Sequence, residues 1–204
     1  MAFLHGYGLG LTLIILIGPV LFTLLQATLK GGFKSGWAVA WGIFVSDIVC
    51  VLLCSFSTRT IFENPHNLFY IGIMGGIILL GFGLLYLLKP PLQFDVELKL
   101  KATDYMGLFI KGFLINFVNP VVFGVWIGFI ALGTDTYGFN MQLGWFLTGM
   151  LLAILTTDTI KAALAHYIKR FLKEDLMRKL YLIIGGLLVI CGIAMFYIVF
   201  DQYT

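Results

Sequence analysis

Two aspartates, Asp47 and Asp158, stand in stretches of sequence that are otherwise almost free of charge. A carboxylate in so apolar a segment is expensive to keep from water, and by default it marks a cation to be bound or a proton to be passed. Asp158 has Lys161 three residues on, one turn along a helix, so these two can form an internal ion pair. Asp47 has no basic residue within two turns and is the freer candidate for an ammonium group or a proton. Two prolines add a second kind of chemistry. Pro19, after Gly18, and Pro120, after Asn119, each fall midway along an apolar run. A proline there removes a backbone hydrogen bond and breaks or kinks the helix. The half-helix starting at each break would aim its amide dipoles at a carboxylate. Asn116, one turn before Pro120, could hydrogen-bond the same small ligand as Asn119, and Gln26 is a further polar group in the first run. The candidate binding set is therefore Gly18, Pro19, Gln26, Asn116, Asn119 and Pro120. Asp47 and Asp158 are the candidates for proton coupling or ammonium binding. Thr12, Thr23, Ser46, Thr156 and Thr157 are small enough to bond back to their own helices.

These residues need a scaffold, and the composition says which kind. The chain has 204 residues, 60% of them hydrophobic and 11% charged. A soluble domain carries about 25% charged residues, so a water-soluble enzyme is excluded. Six apolar stretches, near residues 6–29, 36–57, 68–88, 107–132, 142–167 and 179–200, each match the ~17–25 residues of a membrane-crossing helix. A β-barrel would alternate apolar and polar residues over ~10-residue segments, whereas residues 71–88 are continuously apolar. The first run exceeds the ~7–15 residues of a cleavable signal core and reads as a retained span. The fold expected is an all-α, multi-pass membrane protein with six transmembrane helices, the first and fourth broken.

Eleven of the 13 Lys and Arg residues fall in the first, third and fifth loops; the opposite side holds only Arg59. Because cytoplasmic loops are the basic ones, both termini are expected outside. The net charge of +3 is then a mark of topology, not of nucleic-acid binding. The longest loop, 89–106, would join a first three-helix unit, 1–88, to a second, 107–204. Pro19 and Pro120 lie 101 residues apart, Asp47 and Asp158 lie 111 apart, and Gly75-Gly76 precedes Gly185-Gly186 by 110. With an odd number of helices in each half, such a repeat is inverted, a 3+3 arrangement common in transporters.

The remaining features carry less. Cys50 and Cys54 are one turn apart, but a thiol-redox carrier needs cysteines at its broken helices and neither break has one; Cys191 is remote. His5, His66 and His166 are scattered, so no metal site or other cofactor is expected. Trp37, Trp41, Trp126 and Trp145 read as interfacial belt residues. Gly72/Gly76 and Gly124/Gly128 have the spacing that lets helices approach closely, favouring internal packing over a homodimer seam.

Gly8-Leu9, Ile17-Gly18-Pro19, Gly32, Gly36 and the run from Gly42 to Asp47, with Lys111-Gly112-Phe113 and Leu114-Ile115-Asn116-Phe117-Val118-Asn119-Pro120, together resemble the lysine-exporter (LysE) superfamily, most closely its homoserine/threonine-exporter branch. The resemblance spans essentially the whole chain. It departs at Ile17, where relatives often have a proline, and at Val121, where they often have a lysine. It implies a secondary exporter of amino acids in the bacterial inner membrane, driven by protons and working by alternating access. Protonation of Asp47 would then release the substrate ammonium. The alternatives are export of another small ion or metabolite, a membrane thiol-redox protein, and a non-transporting scaffold.

Overall fold

The computed structural model describes residues 1–13, 19–63, 65–88, 104–168 and 174–203. Gly18 and most of the expected 89–106 linker lie outside them. The described residues form nine helices and no strand: α1 (Ala2–Thr12), α2 (Pro19–Gly31), α3 (Phe33–Glu63), α4 (Pro65–Leu88), α5 (Tyr105–Phe117), α6 (Pro120–Tyr137), α7 (Met141–Ala163), α8 (Ala165–Ile168) and α9 (Glu174–Tyr203). The first expected span holds α1 and α2, and the fourth holds α5 and α6. Helices of 11 and 13 residues, as α1, α2 and α5 are, run roughly 17 to 20 Å, short of a ~30 Å hydrocarbon core. By contrast α3 over Phe33–Phe56, α6 and α7 are each long and apolar enough to cross a bilayer.

Local chemistry sets these boundaries. Asn119 caps α6, its side-chain oxygen accepting from the Val121 amide at 3.1 Å, and Pro120 occupies the first helical position, where an N–H is not needed. Asp104 caps α5 through the Gly107 amide at 3.0 Å, and Asn140 caps α7 through Gln142 at 2.7 Å. Two glycines end helices in the left-handed region: Gly32 (φ 79°) after α2 and Gly138 (φ 71°) after α6. Their amides donate to Thr28 and Thr134 oxygens, both at 2.8 Å.

The chain divides into two compact units, one of residues 1–54 and 94–172, the other of 55–93 and 173–204. In the first, glycines bring backbones into contact at two places. A Cβ on Gly42 of α3 would meet the Phe109 carbonyl and Phe113 nitrogen of α5, and one on Gly112 would meet the Val39 carbonyl of α3. A Cβ on Gly149 of α7 would meet the Phe3 carbonyl and Tyr7 nitrogen of α1, and one on Gly6 would meet the Phe146 carbonyl of α7. Atom for atom these two contacts are alike. In the second unit α4 and α9 pack together in the same style, Gly83 against Val189 and Gly192 against Leu80.

Two apolar clusters stabilise the first unit. One gathers Cys50, Val51, Trp126, Phe146 and Met150; the other gathers Leu24, Leu25, Val39, Ile43 and Ala162. Along α3, Ser46 and Asp47 fall between the positions given to the two clusters. Along α7, Thr157, Asp158 and Lys161 do the same. A polar layer is thus sandwiched between apolar ones.

Of the sequence expectations, two are corrected here. Trp126 is not a belt residue: it is 1% exposed, within the core. Lys111, counted among the eleven loop cations although it falls inside the 107–132 run, lies in the second turn of α5, where it is buried. The Gly124/Gly128 face meets nothing among the described residues, whereas Gly76 packs on Phe196.

Candidate binding cavity

α3 places Asp47 at the polar layer by continuing without a break from Ser35, so that Val39, Ile43, Asp47 and Cys50 form one buried stripe at helical spacing. The carboxylate is 4% exposed. Its Oδ1 accepts two hydrogen bonds, from Asn116 Nδ2 at 2.8 Å and from Trp126 Nε1 at 3.0 Å. Asn116 closes the last turn of α5, and its amide also donates to Ser46 Oγ at 3.2 Å. Three helices, α3, α5 and α6, therefore converge on one oxygen. Neither donor is a cation, and Oδ2 has no hydrogen bond among the described residues. A charge held by neutral donors keeps an unmatched charge in a low-dielectric site.

Asp158 is answered within its own helix: Lys161 Nζ lies 3.0 Å from Asp158 Oδ1, both side chains 10% exposed. Thr157 beside it is buried, and its hydroxyl donates to the Ile154 carbonyl at 2.9 Å. Asp47, Asn116, Asn119, Trp126, Thr157, Asp158 and Lys161 line a single cavity with Leu13, Val20, Leu21, Leu24, Ile43, Val122, Val125 and Ile154. About 90 Å³ of it is open to the centres of water molecules. At ~30 Å³ per water in the liquid that is room for roughly three waters. The chemistry on offer is recognition of a small ligand with a positive group, between aliphatic walls.

The structure thus brings together Asn116, Asn119, Asp47, Asp158 and Lys161 of the expected set. Gln26 is half-buried on α2 and does not line the cavity. Pro120 is buried at the start of α6, and Pro19 begins α2. The α6 amides are less available than the sequence suggests. Val121 N–H is bonded to the Asn119 side chain and Val122 N–H to the Asn119 carbonyl. Trp126 is the functional residue missed in the sequence; its position seven residues after Asn119, on the same face of α6, is the signal that could have found it.

A buried cavity lined by Asp47, Asp158 and Lys161, with three of the helices around it long and apolar enough to cross a bilayer, fits a membrane transporter. The comparisons agree, and they identify the chain as a member of the LysE type translocator family, whose model matches residues 11–198. Proteins of this family are transporters, not enzymes. YcgF of Bacillus subtilis (strain 168), named for amino acid efflux, is 28% identical over 194 residues, 93% of this chain and 92% of that protein. A leucine efflux protein of Klebsiella pneumoniae is 24% identical over 152 residues, 74% of this chain and 72% of that one. No solved structure matches the chain significantly.

Proposed function

We propose that the chain is a secondary exporter of amino acids in the bacterial inner membrane, proton-coupled and working by alternating access. The observation carrying this reading is Asp47: a buried carboxylate lining a cavity, bonded only by the neutral donors Asn116 and Trp126 among the described residues. A substrate ammonium completes it at Oδ2. The substrate carboxylate is met by Lys161, held in place by Asp158. The aliphatic walls favour an apolar side chain over a charged one. Proton uptake by Asp47 removes the counter-charge and releases the ammonium, which couples export to proton entry.

The reading includes a 3+3 inverted repeat, 1–88 and 107–204, joined by a cytoplasmic linker at 89–106, with both termini outside. It is supported by the paired contacts of the first unit. Gly6 with Phe146 answers Gly112 with Val39, and Gly149 with Phe3 answers Gly42 with Phe109. The implied separations are 106 residues for α1 and α5 and 107 for α3 and α7. The left-handed glycines Gly32 and Gly138 are also 106 apart. In this register Asp47 corresponds to Ile154 and not to Asp158, so each carboxylate is a feature of one half alone.

The test is uptake of labelled amino acids into proteoliposomes, with and without an imposed pH gradient, comparing wild type with Asp47→Asn. Accumulation of an apolar amino acid that follows the gradient and vanishes in the variant is the expected result. No movement of any amino acid by folded protein overturns the substrate class. Movement that ignores the gradient overturns the coupling, and full activity of the variant overturns the role of Asp47.

A further inference from the structure

A second concavity of the first unit shares no lining residue with the binding cavity. It is an open groove of about 500 Å³ between the first turns of α3 and α5, lined by Lys34, Trp37, Trp41, Tyr105, Met106 and Phe109. No carboxylate lines it, and Lys34 is its one charged lining residue among those described. The walls are almost wholly apolar, yet they stand open: Trp37 and Trp41 are 43% and 37% exposed and Met106 is 68% exposed. Trp37 and Trp41 lie one turn apart and meet edge to face, with ring centroids 5.8 Å apart, so they form a rigid aromatic wall. Its ordering along α3 is that of an amphiphile: the cation at the helix start, then indoles one and two turns deeper.

We propose that this groove is a binding site for one anionic phospholipid, the phosphate at Lys34 and an acyl chain along Trp41 and Phe109. Three observations choose this occupant. Trp and Tyr belong at the headgroup level of a bilayer, with a lysine reaching outward from its apolar stem; Lys34, Trp37 and Tyr105 have that order. The charge is complementary to an anionic headgroup and not to a zwitterionic one. Exposed Lys30, on the last turn of α2, adds a second positive charge near the same chain reversal. Asp104 is the nearest acidic group in sequence, but its side chain is engaged as the α5 cap with the Gly107 amide.

The site is tested by tryptophan quenching in bilayers holding a small mole fraction of brominated phosphatidylglycerol or brominated phosphatidylcholine. The difference between wild type and the Trp37→Phe/Trp41→Phe double variant isolates the groove signal. One lysine near a membrane surface is worth about a fivefold preference, so brominated phosphatidylglycerol is expected to occupy the groove at least about five times more readily, and Lys34→Gln to lower that ratio about fivefold. Equal quenching by the two lipids in wild type overturns the proposal, as does a preference left undiminished by Lys34→Gln. Absence of groove quenching by either lipid also overturns it, and points to a protein segment in the groove. None of these readouts depends on transport.

Discussion

Asp47 and Asp158 line the same cavity, and their charges are met in opposite ways. Asp158 is neutralised from within α7 by Lys161 at 3.0 Å. Asp47 is held by an amide from α5 and an indole from α6, donors that orient a carboxylate without cancelling its charge. An ion pair closed inside one helix is complete before any ligand arrives. A carboxylate fixed by neutral donors from two other helices is pre-organised and still short of one positive charge. In this reading Asp158 and Lys161 are a preset pair that presents Lys161 to the substrate carboxylate, and Asp47 is the part whose charge changes during transport. The difference also ties Asp47 to motion, since any change in how α3, α5 and α6 meet must change its hydrogen bonds, whereas the pair on α7 moves as one body.

The sharpest way to break this comparison is to cut the ion pair. Lys161→Met leaves Asp158 buried without its cation, a loss of about 3–5 kcal/mol for a buried pair, read as a large drop in thermal stability in detergent. The double variant Asp158→Asn/Lys161→Met should recover most of that loss. If the single and double variants are equally unstable, the pair is not a self-contained unit. Next in size is Asp47→Asn, an isosteric change that keeps an acceptor for Asn116 and Trp126. Stability should change little while transport falls by about 30-fold or more, the ~2–5 kcal/mol of an unmatched buried charge partner. A variant that is severely unstable yet transports at wild-type rate would place Asp47 in the structural class instead. Smaller again is Trp126→Phe, which removes one hydrogen bond to a charged acceptor, about 1.5–3 kcal/mol. The expected result is a KM raised roughly tenfold or more, with the protein still folded; an unchanged KM would mean the indole serves packing alone.

How much of this was legible beforehand depends on what each residue type signals. Asp47, Asp158 and Lys161 stand out in the sequence because charge is rare in apolar spans, and Asn116 and Asn119 because they sit beside Pro120. Trp126 does not stand out, since an indole in a membrane span reads as a belt residue; only the packing of α6 turns its N–H inward. The spans were readable from hydropathy, but the exact helix ends were not, and Lys111, in the first turns of the 107–132 run, reads as a loop cation only because lysines are rare within apolar spans. The proposed repeat shows only in part in the residue types. α2 has 13 residues and α6 has 18, while the chain from Leu13 to Pro19 is longer than that from Val118 to Pro120. The two differences cancel, so prolines and aspartates suggest offsets of 101 and 111 while the packed glycines give 106 and 107. Val39 answers Phe146 across these contacts. What the two proposed halves share is where backbones touch, and side-chain identity does not record it.

That sharing sets the subtlest test. Gly42 and Gly149 each lie against a neighbouring backbone, on α5 and α1 respectively, and a methyl group there has carbonyl oxygen and amide nitrogen in its way, not the end of a flexible side chain. Backbone cannot step aside as a side chain can, so Gly42→Ala and Gly149→Ala should each cost about 1–3 kcal/mol, as overpacking does. Gly144, on the same helix as Gly149, has nothing within contact distance among the described residues. Gly144→Ala should therefore be neutral or slightly stabilising, by about 0.5–1 kcal/mol at most, because alanine is the better helix former. Equal losses at Gly42 and Gly149 beside a silent Gly144 would mean that the two halves rely on the same contact to the same degree, as two copies of one hinge must. A loss at Gly149 with tolerance at Gly42 would mean instead that one interface is rigid and the other gives, and that the yielding one, beside Asp47 on α3, is where the molecule opens.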